Sequence, residues 1–204
     1  MSKHFIVLAG NIGSGKTSLA RRLGERLDWQ TGFESVADNP YLADFYADMR
    51  QWSFHLQIFF LGHRAEHHRH LALNGHSAIT DRSIYEDAHI FARALHHLNN
   101  LNRLDYESYL RVYDLVVAGL PTPDLLIYLQ APVPALLERI QQRGRAIENG
   151  ITAEYLGLLD SFYQEWIASF SLCPVLTLNT EQFNFVDNEA DLVQVIEQIH
   201  GALP

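Results

Sequence analysis

The stretch HFIVLAGNIGSGKT, residues 4–17, decides the fold of this chain of 204 residues. Its first six residues are mostly apolar and are followed by glycine, which predicts a short buried strand. Residues 10–17 match the pattern G-x-x-x-x-G-K-[ST] in full, and residues 16–27 have the leucine spacing of an amphipathic helix. A strand, a glycine-rich loop and a helix in this order predict a loop whose backbone N–H groups bind phosphate.

Each part of this loop has a predicted role in binding a nucleoside triphosphate. The glycines let the backbone N–H groups turn toward an anion, and the start of the helix adds its positive dipole end. Lys16 is expected to reach the β- and γ-phosphates, and the Thr17 hydroxyl is expected to bind Mg²⁺. A glycine-rich turn that only joins strand to helix is the alternative, which both pattern and context disfavour. The loop residues predicted to bind ATP are Gly10, Asn11, Ile12, Gly13, Ser14, Gly15, Lys16, Thr17 and Ser18.

Strands and helices are predicted to alternate along the rest of the chain. The predicted strands are 4–9, 31–34, 76–81, 123–131 and 174–178, and the predicted helices are 16–27, 50–73, 84–97, 105–119, 133–143, 152–170 and 188–202. This alternation indicates one α/β domain, with a parallel sheet and helices on both faces. Ligands of such sheets bind at the carboxyl ends of the strands. Residues 10–17, Glu34 and Asp81 all lie at predicted strand ends, so we expect them to form one site.

The composition narrows the classes of function. A net charge of −9 argues against a nucleic-acid polymer as ligand, although a small nucleotide can still use local arginines. No apolar run approaches the roughly 20 residues that span a bilayer, and the N-terminus lacks a signal-peptide pattern. Cys173 is the only cysteine. These features predict a cytoplasmic protein without a disulfide framework and without a membrane partner.

A nucleotide switch and a phosphotransferase can both use such a loop. A GTP-binding switch needs an N-[KT]-x-D motif after a late strand. The only similar string, NRLD at 102–105, lies in a polar turn between helices and is interpreted as a chance match. A phosphotransferase needs a base near the acceptor hydroxyl and cations over the transferred group. The strings FES at 33–35 and DRSIYED at 81–87 supply carboxylates and an arginine at strand ends, which favours the phosphotransferase.

Three arginines indicate a hinged lid at approximately residues 139–150. Arg139 and Arg143 are four residues apart and share a helical face, and Arg145 follows Gly144. A solvated basic surface is the alternative interpretation. We favour the lid because arginine clamps are common in phosphoryl transfer and because the glycine permits a hinge.

Together these stretches resemble the deoxynucleoside kinases, and among them the bacterial deoxyadenosine/deoxycytidine kinases most closely. The matching segments are GNIGSGKTSL, FESVADNPYLADFY, RQWSFHLQIFFLGHR, DRSIYEDAHIFA, PDLLIYL and RIQQRGRAIENGITAEYL. The resemblance implies a P-loop kinase fold, with a five-stranded parallel sheet flanked by helices and an arginine-rich lid. It also implies that ATP and Mg²⁺ phosphorylate the 5′-hydroxyl of a deoxynucleoside in nucleotide salvage. A homodimer through helices 50–73 and 105–119 is implied as well.

The resemblance further implies a role for each matching residue. Glu34 falls on the general base, Arg82 on the arginine that holds it, and these two with Lys16 form the catalytic set. Asp81 and Thr17 are the implied Mg²⁺ residues, binding the ion directly or through water. For the base, the resemblance implies that Gln57 reads it, that Arg64 and Asp87 form a second base-reading pair, and that Trp52, Phe60 and Phe91 shape the slot. For the sugar, it implies that Tyr46 and Glu148 hold the 3′-hydroxyl. For the phosphates, it implies that they are covered by Arg139, Arg143 and Arg145.

Alternatives remain open from the sequence. A nucleoside monophosphate kinase like thymidylate kinase could use the arginines for the acceptor's phosphate, although WSFHLQ and RSIYED argue against it. An ATP-binding regulatory protein without turnover is the alternative of another class. Deoxyadenosine is the favoured acceptor, with deoxycytidine or deoxyguanosine behind it. His63, His67 and His70 have a possible metal-ligand spacing, but HRAEH is not the zinc motif, and we expect a solvated helix end.

Overall fold

The computed structural model describes residues 3–33, 39–145, 148 and 150–204. Within these ranges five parallel strands form one sheet in the order β2-β3-β1-β4-β5. The strands are β1 (Phe5–Gly10), β2 (Gln30–Gly32), β3 (Ala78–Asp81), β4 (Leu125–Gln130) and β5 (Val175–Asn179). From β1 the chain crosses to β2 at one edge of the sheet. From β3 it crosses to β4, which lies on the opposite side of β1. The carboxyl ends of β1 and β3 therefore form the switch point at which α/β sheets bind ligands.

Every predicted helix is present, with one change of type, and a further short helix at Leu42–Ala47 precedes the one predicted at 50–73. The α-helices are α1 (Lys16–Leu27), α2 (Leu42–Ala47), α3 (Met49–Leu73), α4 (Arg93–His97), α5 (Arg103–Ala118), α6 (Val133–Arg143), α7 (Ala153–Ser169) and α8 (Glu189–Ala202). The predicted helix at 84–97 is instead a π-helix at Asp87–Ala92 that continues into α4. The start of α5 lies two residues earlier than predicted because the Asn102 side chain caps it by accepting from the Asp105 N–H.

Strand β1 lies at the centre of the molecule and is buried on both faces. Phe5, Val7 and Ala9 belong to the core layer that includes α3, α5 and α7. Ile6 and Leu8 belong to the opposite layer, with α1 and α8. A parallel strand covered on both faces has a continuous apolar run, which is why the sequence around β1 does not alternate.

No helix in the described part of the chain is both long enough and apolar enough to cross a membrane. The cytoplasmic location stays a prediction.

Candidate active site

The loop after β1 has the backbone that the sequence pattern predicts. Gly10, Gly13 and Gly15 have φ angles of 148°, 83° and 99°. A Cβ atom at Gly10 would lie 2.6 Å from the Leu129 carbonyl oxygen, and one at Gly13 would lie 2.9 Å from the Leu136 carbonyl oxygen. Glycine is therefore required at both positions, for its conformation and for the close approach of β4 and α6. Gly15 is the N-cap residue of α1, so the free N–H groups of that helix face the loop.

Lys16 donates hydrogen bonds back to the start of the phosphate loop, and Thr17 donates one to the neighbouring strand β3. The Lys16 ammonium donates hydrogen bonds to the carbonyl oxygens of Gly10 and Asn11, at 2.5 and 3.1 Å. The Thr17 hydroxyl donates to Asp81 Oδ2 at 2.5 Å, and Asp81 ends β3 opposite Leu8 of β1. A hydroxyl and a carboxylate side by side are the hard oxygen donors that Mg²⁺ prefers, so these residues fit the metal predicted for them. The described residues contain no group of three or more His, Cys, Asp or Glu side chains that could hold a metal by themselves.

An open cleft of about 770 Å³ extends from the loop, which is within the size range of small-molecule sites. Arg139 lines this cleft and donates to Thr180 Oγ1 and to the Thr180 carbonyl oxygen at 2.8 and 2.9 Å. Arg139 is thus fixed against the segment that follows β5. The cleft is also lined by the loop, by Arg143 and by the segment 183–187.

The other two lid arginines are bound by an acidic residue. Arg143 donates to both carboxylate oxygens of Glu148, at 3.0 and 2.6 Å, and Arg145 lies 3.7 Å from the same carboxylate. Gly144 between them has a φ of 63° and ends α6. Partial burial raises the pKa of Tyr46, and the charge of Glu148 raises it further. Of the two predicted sugar-binding residues, Glu148 thus contacts the lid arginines.

A buried polar cluster lies on one face of α3. Arg64 forms a salt bridge with Asp87 of the π-helix, and its guanidinium lies 4.5 Å from the centre of the Phe60 ring. Gln57, two helical turns before Arg64, is also buried. Within the described residues, Gln57 Oε1 and Asp87 Oδ2 have no hydrogen-bond partner. A buried polar atom without a partner costs about 1–3 kcal/mol, so a ligand that supplies the partners is favoured here.

Arg82 connects this cluster to the end of β3. Its φ of 95° is rare for a residue other than glycine, and such conformations concentrate at functional sites. The Arg82 guanidinium lies 3.8 Å from the centre of the Phe91 ring. Asp87 and Phe91 lie four residues apart on the π-helix, and each contacts one of the two arginines. Trp52 lies at the start of α3 and packs against Tyr41.

The predicted general base, Glu34, lies outside the described residues, as do three positions of the predicted lid, 146, 147 and 149. The role of Glu34 stays a prediction.

Comparison with known proteins decides the family. A model of the deoxynucleoside kinase family matches residues 6–203. The chain belongs to the deoxynucleoside kinase family. It is 38% identical over 200 residues to deoxyadenosine/deoxycytidine kinase of Bacillus subtilis, covering 97% of this chain and 92% of the relative. It is 36% identical over 203 residues to deoxyguanosine kinase of the same organism, covering 96% and 95%.

Solved structures give the same result for the fold. Deoxyadenosine kinase from M. mycoides with bound dATP has a TM-score of 0.83 and 27% identity, covering 97% of this chain and 99% of that chain. The predicted P-loop kinase fold and the predicted reaction class are therefore confirmed: the chain is a phosphotransferase that phosphorylates a deoxynucleoside. The monophosphate kinase and the regulatory protein without turnover are set aside by the same comparisons.

In this deoxynucleoside kinase two histidines of α3, His67 and His68, are more buried than the sequence predicts. His67 packs directly on Gly32 of β2, where a Cβ atom would find no room. His68 is buried, and its Nε2 lies 2.7 Å from the Pro121 carbonyl oxygen. Burial lowers the pKa of both histidines. The expectation of a solvated helix end is therefore wrong for His67, which is half-buried, and its neighbour His68 is buried as well, because this part of α3 packs on the sheet.

Sequence reasoning missed Glu86, which is fully buried beneath the phosphate loop of the kinase. It appears in the sequence as an ordinary acidic residue among helix formers. The available signal is its position between apolar neighbours in SIYEDAHI, where a carboxylate is unusual unless it is hydrogen-bonded.

Proposed function

We propose that this enzyme transfers the γ-phosphoryl group of ATP to the 5′-hydroxyl of a deoxynucleoside, with deoxyadenosine as the preferred acceptor. The observation that supports this best is the buried cluster of Gln57, Arg64 and Asp87 beside Arg82. Two polar atoms of the cluster, Gln57 Oε1 and Asp87 Oδ2, have no partner among the described residues, as a site that reads a base requires. The names of the relatives, which are deoxyadenosine, deoxycytidine and deoxyguanosine kinases, agree with this choice.

The base preference follows from the hydrogen-bonding groups of the cluster. Gln57 offers a donor and an acceptor on one amide, and this pair matches adjacent groups on the edge of adenine or cytosine. Asp87 Oδ2 is an acceptor, which favours a base with an exocyclic amino group over thymine. Trp52, Phe60 and Phe91 supply the apolar walls of the proposed base slot.

On the donor side, the loop N–H groups and Lys16 are proposed to bind the phosphates of ATP. Arg139 and Arg143 already line the cleft next to the loop. Arg145 is proposed to join them when a substrate replaces its contact with Glu148. Thr17 and Asp81 are the proposed Mg²⁺ residues. When bound, this ion neutralises charge that develops on the phosphate oxygens.

On the acceptor side, Glu34 is proposed to accept the proton of the 5′-hydroxyl. Arg82 is held by its stacking on Phe91 and is proposed to orient the carboxylate and the 5′ oxygen. Tyr46 and Glu148 are proposed to bind the sugar 3′-hydroxyl. Tyr46 is 51% exposed, so a sugar can reach its hydroxyl.

The deciding experiment measures ATP-dependent phosphorylation of deoxyadenosine, deoxyguanosine, deoxycytidine and thymidine, with wild-type enzyme beside Glu34→Gln. We expect the highest kcat/KM with deoxyadenosine, little activity with thymidine and loss of turnover in the variant. Equal kcat/KM for thymidine and deoxyadenosine would contradict the assignment of the base-reading residues. Full activity of Glu34→Gln would contradict the assignment of Glu34 as the general base.

A homodimer through α3 and α5 is also proposed. Leu104, Val112 and Leu115 of α5 are exposed apolar side chains, and Leu115 is 78% exposed. Exposed apolar side chains clustered on one helix are typical of a protein interface.

A further inference from the structure

Glu86 is a fully buried carboxylate that binds three separate parts of the chain. Its Oε1 accepts hydrogen bonds from the Gly10 N–H at 3.1 Å and from the Tyr163 hydroxyl at 2.5 Å. Its Oε2 accepts from the Ser83 N–H at 2.7 Å. Burial of a charged group is costly unless hydrogen bonds compensate it, and three donors do so here. These donors belong to the phosphate loop, to helix α7 and to the turn that follows Arg82.

Tyr163 completes the arrangement from α7. Burial, followed by the charge of Glu86, raises its pKa well above the ordinary value of a tyrosine, so its hydroxyl keeps the proton that it donates. The hydroxyl oxygen also lies 2.9 Å from the Gly10 carbonyl oxygen. That carbonyl accepts the hydrogen bond from Lys16. The Gly10 N–H is thus held by Glu86, which Tyr163 holds in turn, and the Gly10 carbonyl oxygen is held by Lys16.

The three contacts join the two halves of the active site. Gly10 is the first residue of the phosphate loop, so its position sets where the donor phosphates lie. Ser83 follows Arg82, and Glu86 precedes Asp87. The Glu86 carboxylate therefore closes the turn that carries Arg82 and Asp87, two residues proposed to bind the deoxynucleoside. Movement of one half relative to the other would change the distance between the phosphoryl group and its acceptor.

We propose that Glu86 and Tyr163 are positioning residues that fix the phosphate loop relative to the Arg82 turn, and so set the geometry of phosphoryl transfer. This inference rests on the function proposed above. Neither Glu86 nor Tyr163 is among the substrate-binding residues proposed above. They act through Gly10 and through the backbone of residues 83–87.

The test compares wild-type enzyme with Glu86→Gln, Tyr163→Phe and the double variant in initial-rate assays. The acceptor is whichever deoxynucleoside the wild type phosphorylates fastest, so a wrong assignment of the base does not affect the result. We expect kcat to fall on the order of 10- to 100-fold in Glu86→Gln, since misplacement by about 1 Å has an effect of this size. We expect KM for ATP and for the acceptor to change less than about threefold. We also expect the double variant to lose much less than the product of the single losses, because both changes break one network.

Tyr109→Phe is the matched control. Tyr109 is as buried as Tyr163, but its hydroxyl has no hydrogen-bond partner among the described residues. We expect its kcat to equal that of the wild type. Active enzyme is counted by the stoichiometry of ATP binding, so a loss of folded protein does not register as a loss of kcat. If Glu86→Gln does not fold, Tyr163→Phe carries the test by itself.

Two results would overturn the inference. The first is a kcat per active enzyme within twofold of wild type in both single variants, with only the thermal midpoint lowered, because this would mean a purely structural role. The second is a rise of KM with unchanged kcat, because this would mean that the pair shapes a binding site and not the transfer geometry.

Discussion

Gln57 combines two properties that are normally opposed at a single residue. It is buried on α3, yet its Oε1 atom has no hydrogen-bond partner in the described part of the chain. An unpaired buried amide destabilises the folded enzyme, whereas the same amide is available to a bound base. Stability and substrate binding should therefore respond in opposite directions when this side chain is replaced.

We predict that Gln57→Leu lowers kcat/KM for the preferred deoxynucleoside while leaving the free energy of unfolding equal or higher. The loss of about 1–3 kcal/mol of base-reading hydrogen bonds corresponds to about 5- to 150-fold in kcat/KM. Steady-state kinetics and urea unfolding measure the two effects. Gln51→Leu, an exposed position on the same helix, is the control and should change neither. A Gln57→Leu enzyme with wild-type kcat/KM would show that Gln57 does not contact the base.

The phosphate loop packs against helix α6 at Gly13, and this contact limits which residue the loop can have there. Gly13 combines a positive φ with a backbone oxygen of α6 where its Cβ would lie. Gly157 in the middle of α7 has neither constraint, since no described atom beyond its own stretch of helix backbone lies within 4 Å of its Cβ position. The surroundings therefore require glycine at residue 13 and not at residue 157.

We predict that alanine at these two positions has opposite effects. Gly13→Ala should weaken ATP binding and destabilise the enzyme by about 1–3 kcal/mol, because the loop has to move away from α6. Gly157→Ala should stabilise the enzyme by about 0.5–1 kcal/mol, because alanine is the better helix former. Thermal unfolding with and without ATP measures both. Wild-type ATP affinity in Gly13→Ala would mean that the loop conformation does not determine phosphate binding.

The whole molecule buries a group of tyrosines in its largest core layer. The buried members of this group are Tyr85, Tyr109, Tyr113, Tyr128 and Tyr163. Burial raises the pKa of Tyr85 to about 12 and raises the pKa of each of the others further still. In the unfolded chain the same groups lose their protons near pH of about 10. The folded state therefore binds more protons than the unfolded state in alkaline solution.

We predict that stability is fully present below pH of about 10 and falls as the pH rises above it, because each of these groups has a higher pKa in the folded state. Each buried tyrosine contributes a loss of up to about 1.4 kcal/mol per pH unit. Urea unfolding at a series of alkaline pH values measures this, with tyrosinate absorbance recorded in parallel. Ionisation of all tyrosines near their ordinary pKa, before unfolding, would contradict the burial described here.

The exposed apolar side chains of α5 give a prediction about the assembled molecule. Leu115→Glu should convert a dimer to a monomer, because a charged side chain in an apolar interface is costly to desolvate. Light scattering after size-exclusion chromatography measures the mass. Arg103→Glu, at an exposed polar position on the same helix, is the control and should remain dimeric. A wild-type enzyme that is monomeric at all concentrations would exclude the proposed homodimer.

Local sequence patterns were sufficient to predict the phosphate loop, the parallel sheet and the order of the helices. These features follow from local patterns: the glycine spacing at residues 10–17, the apolar runs of the strands and the helical period of the leucines. The same local strings were specific enough to indicate the family. The candidates Arg64 and Asp87 were also found in this way, and the structure places them in contact.

The pairing of the buried polar groups could not be predicted from local patterns and depends on the folded arrangement. Glu86 and Tyr163 are 77 residues apart, and nothing in either neighbourhood indicates that one accepts the hydrogen bond of the other. The π-helix that carries Asp87 and Phe91 has the composition of an α-helix, so its type could not be predicted. The sequence around His67 predicts a solvated side chain, whereas in the fold this side chain packs on Gly32 of β2. The physical reason is that the cost of burying a polar group depends on the partners it meets, and the fold alone determines those partners when they are distant in the sequence.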